Sequence, residues 1–102
     1  MGESLGQVYV GPSGWSYRDW SGVVYPPGLG RRESPLTFLS RYFRAIEVNG
    51  SFYRVPTPAV TASWVAQVDP GFRFTFKAHR RFTHDRTEPI SRGEFEAFLA
   101  AV

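Results

Sequence analysis

Glu47 and Lys77 are the residues whose types and positions best suit chemistry. Each stands in a short alternating run. Ile46 and Val48 alternate with Ala45, Glu47 and Asn49; Phe72, Phe74 and Phe76 alternate with Arg73, Thr75 and Lys77. Period-two alternation predicts half-buried strands. On neighbouring parallel strands, Glu47 and Lys77 would face one interior, where a carboxylate and an ammonium shift each other's pKa and can act as general base and electrophilic cation. The bland reading is a structural ion pair, since such pairs perturb pKa without catalysis.

Further candidates lie on the segments after the strands. Trp15 and Tyr17, with Trp20 and Tyr25 further along, could stack on a sugar ring or a nucleobase. They could equally give a long loop its own small core. Asn49 and Tyr53 could hydrogen-bond the same ligand or satisfy loop backbone. The run His79-Arg80-Arg81-Phe82-Thr83-His84-Asp85-Arg86 is basic with an aromatic inside it, as a phosphate or nucleic-acid contact would be, or as a solvated surface would be. Arg80 and His84 are its ligand-binding candidates. No metal site is expected: His79 and His84 do not share a helical face, and no H-E-x-x-H is present. Gly11-Pro12-Ser13-Gly14-Trp15 is not a nucleophile elbow, because Trp15 takes the last glycine position. Neither a Walker A nor a G-x-G-x-x-G motif occurs, and the residues name no cofactor.

Composition bounds these possibilities. The chain has 102 residues, hence one domain at most, with a small core. Nine Phe, five Tyr and three Trp mark it as globular rather than disordered. The net charge is +3 and Lys77 is the only lysine. Arginine favours planar, bidentate partners, so carboxylate and phosphate ligands are permitted. Absence of cysteine removes disulfides and thiolate chemistry. No signal segment or membrane-spanning run is read, so a cytoplasmic protein without a membrane partner is expected.

The elements that must hold these residues follow from local signals. Residues 1–7 read as a disordered lead-in. Val8–Val10 reads as a first strand, closed by the turn cluster Gly11-Pro12-Ser13-Gly14. Residues 12–33 show no period, a long excursion of the kind that is functional or lid-like. Trp15, Tyr17, Trp20, Val23, Val24 and Tyr25 are expected to cluster there. Ser34-Pro35 and Thr57-Pro58 each offer an N-cap followed by proline at the first helical position. Leu36, Leu39 and Phe43 give the first helix its apolar face; Val60, Trp64 and Val68 give the second. Asn49-Gly50 leads to Pro56 and reads as a loop rather than a hairpin. Phe72–Ala78 is the third strand. Ser91-Arg92-Gly93-Glu94 reads as a capping box, with Glu94 reaching back to the N-cap amide. Phe95, Phe98, Leu99 and Val102 then line a third helix.

The order β-α-β-α-β-α implies parallel strands joined by right-handed crossovers. A doubly wound sheet would read as continuous apolar strands. Here each strand has an apolar and a mixed face, as in a (β/α)8 barrel, whose polar residues gather at the C-terminal strand ends. Such a barrel needs about 250 residues. The expected fold is therefore α/β, a partial TIM barrel of three βα units over residues 8–102, truncated and needing either the remaining barrel half or self-association.

A family resemblance rests on particular blocks. They are Gly11-Pro12-Ser13-Gly14-Trp15-Ser16-Tyr17 with Trp20 and Tyr25-Pro26; Glu47-Val48-Asn49-Gly50-Ser51-Phe52-Tyr53 with Pro56 and Trp64; and Pro70-Gly71-Phe72-Arg73-Phe74 with Lys77 and Thr83-His84. In these the chain resembles the domain-of-unknown-function family 72, the YecE-like proteins. The resemblance implies a TIM barrel and members about twice this length or more, hence missing strands; it implies no particular activity. Three functions follow as expectations. The parent barrel binds or processes a small anionic, phosphate- or sugar-bearing ligand, with hydrolytic or acid–base chemistry if it is an enzyme. Alternatively it contacts nucleic acid through Arg80, Arg81 and Arg86, or the chain is a fragment without independent activity.

Overall fold

The structure is a computed structural model that describes residues 6–85 and 87–102. Two parallel strands, β1 (Ala45–Val48) and β2 (Arg73–Phe76), pair in the register Ala45↔Arg73 to Val48↔Phe76. Among the described residues five helices accompany them: α1 (Leu29–Arg32), α2 (Pro35–Ser40), α3 (Pro58–Val65), α4 (Arg80–Thr83) and α5 (Arg92–Ala101). Single 3-10 turns occupy Arg18–Trp20 and Gly50–Phe52. The fold is α/β with a two-stranded parallel sheet. Among the described residues, no helix is long and apolar enough to cross a membrane.

Each predicted cap is present. Ser34 Oγ accepts from the Thr37 amide at 3.1 Å, Thr57 Oγ1 from the Val60 amide at 3.3 Å, and Ser91 Oγ from the Glu94 amide at 3.1 Å. These bonds satisfy amides that a helix start would otherwise leave open. The second half of the expected capping box is replaced: Glu94 turns its carboxylate to Arg81, with Nε 3.1 Å from Oε2. A charge-assisted bond to a guanidinium is stronger than one to a neutral amide, so the tertiary partner wins.

The strand expected at Val8–Val10 does not form, and both valines are exposed at 84 % and 68 %. The chain pairs with β1 slightly later, through one parallel bridge between Ser13 and Glu47. The Glu47 amide donates to the Pro12 carbonyl at 3.0 Å, and the Gly14 amide donates to the Glu47 carbonyl at 2.8 Å. Extending that ladder upstream calls for an N–H at position 12. Proline has none, so the ladder stops. Gly11 then passes so close that a Cβ there would lie 1.7 Å from the Ala45 carbonyl oxygen. The order across the layer is this bridged segment, β1, then β2, all running one way. The residues expected as a lead-in lie mostly outside the described range.

Tyr25, Leu29, Leu36, Leu39 and Ile46 make the core, with Trp15, Trp20, Phe38, Phe43, Trp64, Val68, Phe72 and Phe74 packed around it. An aromatic chain runs Tyr17–Trp20–Tyr25–Phe38, with successive centroids 4.6, 5.6 and 5.8 Å apart. It gives the long first excursion the local cluster expected of it, except that Val23 and Val24 stay outside, exposed. Other apolar stripes are only partly covered. Val60 on α3, and Phe95, Leu99 and Val102 at α5, are exposed, whereas Ala101 is buried. The stripes have helical spacing, yet their cover is partial: on α5 the Phe82 ring of α4 meets Phe95 and Phe98 edge-on at 6.2 and 5.4 Å and leaves Phe95 half exposed. The Cα radius of gyration is 16.3 Å, against about 13 Å for a closed domain of this length.

Candidate functional site

The polar face of the sheet carries Glu47, Thr75 and Lys77. Glu47 lies opposite Thr75 in the register, and Lys77 follows β2 directly, its amide donating to the Val48 carbonyl at 3.1 Å. Alternation puts Glu47 and Lys77 on one face, as expected. They do not form the anticipated pair: no ion pair among the described residues joins them. Each instead has a neighbour from a loop. Ser13 Oγ donates to Glu47 Oε1 at 2.8 Å, and Lys77 Nζ lies 3.4 Å from Asn49 Oδ1. The Lys77 ammonium also sits over the Phe52 ring, 5.0 Å from its centroid.

Two small clusters result. In the first, Ser13 orients Glu47, and the Tyr17 hydroxyl donates to the Ser13 carbonyl. The Tyr25 hydroxyl ties down the next residue but one, donating to the Trp15 carbonyl at 2.5 Å; burial, then the nearby Tyr17 hydroxyl, push the Tyr25 pKa up. In the second, Phe52 is a hub. It meets Lys77 on its face, and its ring packs edge-on with Tyr53 and His84, at 5.0 and 5.1 Å. A cleft of about 410 Å³ is lined by Trp15, Tyr17, Val48, Asn49 and Trp64, and so touches the first cluster at Tyr17 and the second through Asn49, the neighbour of Lys77. It opens at the C-terminal end of β1. Trp15 and Trp64 meet edge to face at 5.1 Å across it.

Ser51 holds the two strand ends together beneath this rim. It is fully buried, and its hydroxyl lies 2.5 Å from the Lys77 carbonyl and 3.0 Å from the Val48 carbonyl. His79 links the following loops. Its Nδ1 accepts from the Arg81 amide at 3.2 Å, so the ring proton sits on Nε2, which faces the Tyr53 carbonyl at 3.2 Å. Tyr53 itself is exposed.

The basic run divides. Arg81 is consumed internally: beyond Glu94, it donates to the carbonyls of Asp85, Glu88 and Pro89 at 3.2–3.3 Å. Its bond to Glu94 holds its pKa above the usual arginine value. This guanidinium clasps the segment before α5 and is not available to a phosphate. Arg80 is exposed at the start of α4 and belongs to neither cluster, and Arg86 lies outside the described residues. Among the described residues, no group of three or more His, Asp or Glu side chains is placed to hold a metal ion.

Sequence reasoning therefore named Glu47, Lys77, Asn49, Trp15 and Tyr17, and the structure gathers them at one rim. It missed Ser13, Ser51, Phe52 and Trp64. Ser13 was hidden because Gly-Pro-Ser-Gly reads as a turn, and Trp64 because its spacing marks it as core. Ser51 and Phe52 directly follow Asn49-Gly50, a position that signals the mouth of a strand.

Comparison with known proteins places the chain. It is similar to the UPF0759 protein YunF of Bacillus subtilis (strain 168), 32 % identical over 99 residues, which cover 93 % of this chain and 34 % of the relative. It is also similar to the UPF0759 protein YecE of Escherichia coli (strain K12), 30 % identical over 77 residues, covering 76 % of this chain and 25 % of that protein. The chain thus spans about a third of the length of the first relative and a quarter of the second. No solved structure matches. The family described as "Protein of unknown function DUF72" matches residues 9–102, and this chain belongs to it.

Proposed function

We propose that these residues form the N-terminal part of a (β/α)8 barrel, whose ligand is a small sugar- or phosphate-bearing molecule bound at the C-terminal ends of the strands. The cleft between Trp15, Tyr17, Asn49 and Trp64 carries this reading. Ligand sites of parallel α/β folds lie at that end, and concave sites with an apolar lining and few polar groups are the usual form. Trp15 offers a stacking surface, Asn49 a hydrogen-bonding amide, Lys77 a cation for an anionic group, and Glu47 a carboxylate able to accept a proton. Two observations support the larger barrel. The three chain segments run parallel in sequence order. An apolar groove of about 520 Å³, lined by Trp64, Val65, Phe74, Phe76 and Ala101, lies open where a further unit would pack. The missing units come from further chain or from a second polypeptide.

The test uses Trp15 and Trp64 as reporters. Titrating ribose 5-phosphate and glucose 6-phosphate should quench tryptophan fluorescence saturably, and Asn49→Ala or Lys77→Gln should weaken the response at unchanged far-UV circular dichroism. A flat titration with both sugar phosphates, or a response indifferent to both substitutions, refutes the reading.

A further inference from the structure

At the other end of the strands, two arginines share one aromatic ring. Arg44 immediately precedes β1 and Arg73 opens β2, and the Arg73 amide donates to the Arg44 carbonyl at 2.9 Å. Their guanidinium carbons lie 5.1 and 5.8 Å from the centroid of Tyr9. Tyr9 is half-buried and its hydroxyl donates to Gln7 Oε1 at 2.7 Å, which orients the ring. Both arginines are exposed, and neither belongs to an ion pair among the described residues. Asp69 lines the same 230 Å³ hollow as Arg44 without pairing with it.

We propose that Arg44 and Arg73, held on Tyr9, form a binding site for a phosphate group at the N-terminal ends of β1 and β2. Two like charges held near one ring repel, and the ring offsets only part of that repulsion. A phosphate relieves it. Stacked guanidiniums keep their N–H edges free, and those edges match two phosphate oxygens at once. Asp69 shares a hollow with Arg44, so its negative charge acts against an anion held on that arginine. The site lies at the strand ends away from the cleft, so it is independent of the ligand proposed there.

Inorganic phosphate and a nucleoside monophosphate are titrated in parallel against the 102-residue chain, with chloride as control, following the arginine and Tyr9 resonances by NMR. Saturable binding is expected, weakened roughly tenfold or more by Arg73→Gln or Arg44→Gln. Arg31→Gln, exposed on α1 and part of neither site, should leave it unchanged. Equal affinity for both ligands assigns the site to the phosphate group alone; tighter nucleotide binding assigns it to a phosphate carried beside a base. Asp69→Asn removes no favourable contact and should strengthen binding, so this arm decides the matter even if an arginine variant unfolds. Non-saturating shifts, the same response in the arginine variants, or no gain with Asp69→Asn overturns the proposal.

Discussion

Ser13 and Glu47 are joined twice: their backbones form a parallel bridge, and the Ser13 hydroxyl donates to Glu47 Oε1 at 2.8 Å. The segment that begins the long excursion is thus fastened to the same residue whose carboxylate it orients. One Glu47 oxygen is held by this bond.

Ser13→Ala should separate these two roles. The hydrogen bond is exposed, so stability should fall by less than about 1 kcal/mol, while the carboxylate gains rotamer freedom and sugar-phosphate affinity drops. Urea unfolding beside the fluorescence titration checks this; a large stability loss with unchanged affinity would make the contact purely structural.

Gly11→Ala should be much worse than its size suggests. The added methyl would meet the Ala45 carbonyl oxygen at 1.7 Å, and backbone cannot step aside as a side-chain tip can. We expect a loss of about 1–3 kcal/mol, typical of overpacking, and detachment of residues 11–14 from β1. Amide exchange at Gly14 and Glu47 should accelerate together.

Ser51→Ala should cost about 1–3 kcal/mol, because the Lys77 carbonyl loses its side-chain donor, while the Val48 carbonyl keeps the Lys77 amide. The methyl fits, so the fold should persist. Ser51→Cys keeps a weak donor in nearly the same volume and should fall between the two in chemical denaturation.

Acid should weaken the anchor of α2. The Glu33 carboxylate receives two bonds from the Arg41 guanidinium, which hold its pKa below the ordinary value of 4.5. Because the folded pKa is depressed, the contribution is present above the unfolded value and is lost as pH falls through the folded one. The urea midpoint should therefore decline on acidification below pH 4.5, and Glu33→Gln should flatten that part of the curve. Both groups are solvent-facing, so the effect is small and should shrink further in high salt.

What was legible in the sequence was local. Ser34, Thr57 and Ser91 cap their helices because an N-cap needs only its next three residues. The alternation around Glu47 and Lys77 gave the shared face for the same reason. The first strand was misplaced because pairing depends on the neighbouring chain: Pro12 supplies an acceptor but no donor, a fact that matters only once Ala45 lies beside it. Glu94 left its capping box for Arg81, thirteen residues away, which no local pattern signals. Phe95 and Leu99 show the spacing of a buried stripe, but spacing does not supply the surface that buries it.

Val48 and Ala101 are buried outside the main core cluster, whose five side chains all come from residues 25–46. Their mutual contacts close only short loops, which carry little entropic cost and favour fast assembly. This segment should therefore consolidate early during synthesis, before β2 has left the ribosome, and present a preformed edge onto which the later strand is laid.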